Sequence, residues 1–201
     1  SCSTGEEAIS LAVVLREAAR IHGNPTVRVH ATDIRANITD RLSSGRYPES
    51  ALRRDGSEFH ELFRSHYATP APGHALSVSR EVLDLIQVKT VNLFSDPLEN
   101  LPDNVDVVFF RNTLIYAPEK NRTKIIERII SRISPGGYLF LANSELPFVT
   151  HPELELVDGD GAYCFVKRSP AALQPAPAAQ RATMSANAPK PSANQPSDRP
   201  C

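Results

Sequence analysis

The spacing of hydrophobic positions along this chain changes several times, and each change marks an element. Ile9, Val13, Leu15 and Ala19 sit among apolar positions at helical spacing, which predicts an amphipathic helix over residues 3–21. Ser3-x-x-Glu6 or Thr4-x-x-Glu7 offers a capping box at its start, and His22-Gly23-Asn24-Pro25 stops it. Residues 27–32 alternate as a strand that ends at Asp33. A short helix over 38–43 ends at Gly45. Strands follow over 88–93 and 105–110, the second an unbroken apolar run after Asp106. Residues 119–133 repeat the helical spacing and stop at Ser134-Pro135-Gly136-Gly137, which leads into a strand over 138–142. Residues 155–157 and 162–167 flank Asp158-Gly159-Asp160-Gly161 and read as a hairpin.

Strands separated by helices imply crossovers and a parallel sheet, and the closing hairpin implies an antiparallel edge. Residues 47–87 break the rhythm. That stretch is long and charge-rich for a connection, which predicts an inserted subdomain. The pattern also starts abruptly, because a turn of small residues leads straight into the first helix. Such a turn ordinarily follows a buried strand, so the expectation is a sheet whose first strand is missing. From Ser169 onward periodicity stops, and the segment holds seven of the chain's 17 prolines. Residues 169–201 are therefore expected to be a disordered Pro/Ala-rich linker or tail, with further domains possible beyond it.

Charge and composition narrow the function mainly by exclusion. The net charge of −1, from 22 basic and 23 acidic residues, gives no general attraction to nucleic acid or anionic membrane. Cys2, Cys164 and Cys201 have neither metal nor disulfide spacing and are expected to be free thiols. No apolar run approaches the roughly 20 residues that cross a bilayer, and the reading is a soluble cytoplasmic protein. The six histidines are scattered, and no metal cluster or Ser/His/Asp set is visible.

Chemistry concentrates where predicted strands end, the place at which open α/β sheets bind ligands. Ser3-Thr4-Gly5-Glu6-Glu7 offers a tight turn and the free N–H groups of a helix start. Asp33 can accept hydrogen bonds from ribose hydroxyls. Asn92-Leu93 pairs a polar with an apolar side chain, suited to the edge and face of a base. Arg111-Asn112-Thr113-Leu114-Ile115-Tyr116 leaves the fifth predicted element directly. Each has a plainer reading: Glu7 and Asp33 as caps, Asn92 as a turn residue, Arg111 as the partner of a surface carboxylate, Tyr116 as a core aromatic.

Taken in order, these stretches resemble the CheR-type chemotaxis receptor methyltransferases over roughly residues 1–168. The resemblance rests on Ser1-Cys2-Ser3-Thr4-Gly5-Glu6-Glu7, Ala31-Thr32-Asp33-Ile34, Val91-Asn92-Leu93, Phe110-Arg111-Asn112-Thr113-Leu114-Ile115-Tyr116 and Ser134-Pro135-Gly136-Gly137-Tyr138-Leu139-Phe140-Leu141. It implies a Rossmann-like class I methyltransferase sheet and S-adenosylmethionine as methyl donor. It also implies, as acceptor, a glutamate side chain of a methyl-accepting chemotaxis receptor. By position, Glu7, Asp33, Asn92, Leu93, Asn112 and Thr113 would contact the cofactor; from the chemistry of a carboxylate acceptor, the Arg111 cation could hold the glutamate and Tyr116 could donate a hydrogen bond or pack beside the methyl group. In some members the inserted subdomain docks on a receptor tail peptide. The family's N-terminal helical domain and first strand are missing, and its Ser-Glu-Ser run appears as Asn143-Ser144-Glu145-Leu146. Two rivals stand beside this reading. A nicotinamide oxidoreductase would suit Asp33 but wants G-x-G-x-x-G, of which only Gly5 is present. A catalytically silent receptor-binding or assembly module would keep the cofactor residues and lack transfer.

Overall fold

The computed structural model describes residues 2–52, 57–159 and 162–169. The expected Pro/Ala tail beyond Ser169 and the hairpin tip Asp160-Gly161 lie outside them. In chain order the elements are α1 (Glu6–Ile21), β1 (Val29–Asp33), α2 (Asn37–Ser44), β2 (Arg46–Pro48), α3 (Glu58–Leu62), β3 (Ala68–Ala71), β4 (Ala75–Val78), α4 (Arg80–Leu83), β5 (Ile86–Thr90), β6 (Val105–Phe109), α5 (Glu119–Ile130), β7 (Ile133–Phe140), β8 (Leu154–Gly159) and β9 (Ala162–Lys167).

The α1 helix buries Ala8, Ile9, Ala12, Val13 and Ala19, the stripe that its spacing predicts. Its start differs from the capping box expected from sequence. Gly5 is the N-cap in a left-handed conformation, with φ of 95° and no side-chain cap. Thr4 instead donates its hydroxyl to Glu6. The reason is the tightness of the turn: Ser3 is also left-handed, with φ of 50°. A Cβ on Gly5 would stand 2.6 Å from Leu42 Cδ2 and 2.8 Å from Tyr47 Oη. Only glycine fits that packing.

Strands β1 and β5 pair in parallel from Val29↔Ile86 to Asp33↔Thr90. A second sheet runs β6-β7-β9-β8, with β6 and β7 parallel and the last three strands antiparallel. Ser134-Pro135-Gly136-Gly137 is absorbed as a bulge, because the partner of β6 jumps from Ile133 to Tyr138. The architecture is therefore mixed α/β, with parallel pairs β1-β5 and β6-β7 and an antiparallel hairpin closing the second sheet. It is also split, since no ladder joins β1 to β6 among the described residues. A cavity of about 410 Å³ lies between them, lined by Leu11, Val29, Ala31, Leu98, Val107 and Phe109. Two separate hydrophobic cores accompany it. One gathers α1, β1 and the β2–β4 region, and the other gathers α5 with β7, β9 and the loops beside them.

Between β1 and β5 the chain builds a small antiparallel sheet in the order β2-β4-β3. It meets the main body through Tyr47, which is buried and donates its hydroxyl to Thr4 O at 3.0 Å. Burial, with the nearby Glu6 carboxylate, pushes that phenol up to about 12.

Candidate functional site

Four segments at strand ends surround one cavity of about 810 Å³: the turn before α1, the end of β1, the loop after β5 and the loop after β6. Its size is in the range of small-molecule sites. All eight candidate residues line it: Glu7, Asp33, Asn92, Leu93, Arg111, Asn112, Thr113 and Tyr116.

Asp33 closes β1 at 7% exposure. Its Oδ2 accepts the Ser3 N–H at 2.9 Å, and Oδ1 accepts the Arg35 N–H at 3.1 Å and Arg35 Nε–H at 3.2 Å. Burial pushes its carboxyl upward, yet the two backbone donors and the Arg35 guanidinium outweigh it and hold the group below the usual carboxylate range. A carboxylate offers about four acceptor sites. Three are engaged, and the Arg35 side chain is the exposed partner among them.

Glu7 lies on the first turn of α1 and accepts from Arg111 Nη1 at 3.1 Å across the cavity. Its capping reading therefore gives way to an ion pair that links the first helix to the β6 loop. Arg111 does pair with a carboxylate, but that carboxylate is itself a candidate. Asn92 holds its own turn: its N–H donates to Asp96 Oδ2 at 2.7 Å and its Oδ1 accepts the Phe94 N–H at 3.0 Å. Leu93 packs partly against the second core. Tyr116 is 82% exposed, which rules out a core role and leaves its ring and hydroxyl at the cavity rim.

Several contributors escaped the sequence reading. Arg35 and Ser3 fix the Asp33 carboxylate, and Tyr47 supports the glycine turn from the inserted sheet. Ile34 and Phe94 stand exposed at the cavity mouth, apolar surfaces of the kind a flat base covers. Glu145, which the sequence offered without a role, is fully buried behind the β6 loop. The signal for it was its place in Asn143-Ser144-Glu145-Leu146, directly past β7.

These features fit a nucleoside ligand with a charged amino-acid tail: a buried acceptor for hydroxyls, apolar walls for a base, and a carboxylate–guanidinium pair beyond. Comparison with known proteins agrees. Residues 1–159 match the family model described as CheR methyltransferase, SAM binding domain. The chain belongs to the CheR methyltransferase family. S-adenosylmethionine is accordingly the cofactor of this domain. Chemotaxis protein methyltransferase 2 of Pseudomonas aeruginosa is 30% identical over 145 residues, covering 72% of this chain and 51% of that protein. The chemotaxis protein methyltransferase of Vibrio anguillarum is 32% identical over 145 residues, covering 71% of this chain and 51% of its own length. An uncharacterized 104.1 kDa protein of Rhodobacter capsulatus is 31% identical over 145 residues, 72% of this chain but 14% of that protein. The CheR-family chain thus spans about half the length of the chemotaxis methyltransferases it matches.

Proposed function

We propose that this CheR-family domain belongs to a cytoplasmic protein-glutamate O-methyltransferase whose acceptors are glutamate side chains of chemotaxis receptors. The observation that carries the reading is the convergence of Asp33, Glu7 and the Arg111–Tyr116 loop on one cavity, in a chain of this family. When bound, S-adenosylmethionine supplies a methyl carbon on a sulfonium, which a carboxylate attacks in line to give a methyl ester and a neutral thioether.

The chain's own part is binding and alignment. Asp33 takes the ribose hydroxyls once Arg35 swings out, and Asn92 and Leu93 border the base. Glu7 suits the ammonium of the amino-acid tail. Neutralising Glu7 in that way frees Arg111, whose guanidinium then has a reason to hold the incoming glutamate. Tyr116 stands at the rim, where its hydroxyl and ring meet the acceptor as it enters. An acceptor glutamate is ionised near neutral pH, with an ordinary pKa of about 4.3, so no general base is needed. Alignment of two reactants lowers barriers by about 7–11 kcal/mol in favourable cases.

Incubating the full-length protein with radiolabelled S-adenosylmethionine and receptor cytoplasmic fragments tests this reading. Base-labile label on receptor glutamates is the expected result. Cofactor binding without transfer to any receptor fragment would favour a silent receptor-binding or assembly module. Binding of a nicotinamide dinucleotide in place of the cofactor would return the oxidoreductase reading.

A further inference from the structure

The loop that carries Asn112, Thr113 and Tyr116 has no regular partner of its own, yet its backbone is tied down from behind. Glu145 is 0% exposed and sits just past β7, inside the short 3-10 helix Asn143–Phe148. Its Oε2 accepts the N–H of Asn112 at 2.8 Å and of Ala142 at 3.1 Å. Its Oε1 accepts the N–H of Thr113 at 2.7 Å and of Ile115 at 3.3 Å. One side chain therefore joins the carboxyl ends of two adjacent parallel strands. Asn112 is held in a left-handed conformation, with φ of 55°, which a non-glycine residue keeps only when its surroundings impose it.

We propose that Glu145 is a positioning residue that sets the methyl-transfer loop by binding its backbone, so that Asn112, Thr113 and Tyr116 face the cofactor cavity. The inference rests on S-adenosylmethionine occupying that cavity. Among the described residues Glu145 makes no ion pair, and its charge is met by backbone N–H groups. Burying an acid away from any cation is a poor way to hold a fold together. It is, however, what four convergent N–H donors of an irregular loop require, because both oxygens must accept twice. Glutamine cannot substitute. Its amide has one oxygen, so either orientation aims an NH₂ at two N–H donors. Aspartate is one methylene short of the loop.

The test compares wild-type, Glu145→Gln and Glu145→Asp forms of the full-length protein by titration with S-adenosylhomocysteine. Because an unfolded fraction raises the apparent constant, each variant is titrated where circular dichroism shows it fully folded, so that a change in the constant reports on the site and not on stability. A rise of about tenfold or more in both variants is expected, given that misplacement by about 1 Å can cost a hundredfold in function. Constants within twofold of wild type would overturn the proposal. Hydrogen exchange on the wild type needs neither variant nor ligand. The amides of Asn112, Thr113 and Ile115 should exchange far more slowly than free-chain amides, and exchange at free-chain rates would equally overturn it. Wild type that binds the product but methylates no receptor would sink the acceptor assignment and leave the positioning role standing.

Discussion

Asp33 carries three protein hydrogen bonds on two oxygens while almost fully buried, so its charge is met by the fold and about one acceptor position stays open. Because the folded state holds its pKa below the free value, its stabilising contribution is present above the unfolded pKa of about 3.9 and disappears as pH falls through the lower folded value. Wild type should therefore lose melting temperature below about pH 4 more steeply than Asp33→Asn. Parallel slopes in the two proteins would remove Asp33 from the acid response. Asp33→Ala should weaken S-adenosylhomocysteine about tenfold to a hundredfold, the range for lost charged hydrogen bonds, with the fold retained by circular dichroism. The position of Asp33 was readable because a strand with period two ended on it. Its partners were not. Ser3 reaches it through a turn in which Ser3 and Gly5 take positive φ, and no propensity pattern announces that, while Arg35 reaches it through a local turn two residues on.

Among the elements, the turn before α1 shows how the inserted sheet serves the site. Gly5 packs against Leu42 and Tyr47, and Tyr47 holds the Thr4 carbonyl. Gly5→Ala should destabilise by about 2 kcal/mol or more, combining a left-handed φ with overpacking. Tyr47→Phe removes one half-buried hydrogen bond and should cost about 1 kcal/mol by urea denaturation, with a weaker cofactor affinity besides. An unchanged affinity in Tyr47→Phe would separate the inserted sheet from the site. Periodicity located α1, α5 and the closing hairpin, since each has one clear buried face. It missed the end of α5 and the start of β7. Residues 134–137 fold as a bulge against β6, and the register that makes them so depends on a strand distant in sequence. Glu145 was hidden for the same reason, because its four donors come from two loops about thirty residues apart.

For the whole molecule, the decisive feature is a sheet in two parts over two hydrophobic cores. Coupling between them runs through side chains such as the Glu7–Arg111 pair rather than through a backbone ladder. Partly exposed ion pairs of this kind contribute little, about 0–1 kcal/mol. The β1–β5 half and the β6–β9 half should thus lose hydrogen-exchange protection at different urea concentrations. A single coincident transition would show that the halves are bound more tightly than their contacts suggest. No helix among the described residues is long and apolar enough to cross a membrane. The central claim is that the cavity between these halves holds S-adenosylmethionine. Calorimetric titration of the folded chain with S-adenosylhomocysteine tests it most directly. One saturable site, weakened in Asp33→Ala, is the predicted result. A chain that circular dichroism shows to be folded and that gives no heat of binding would contradict it.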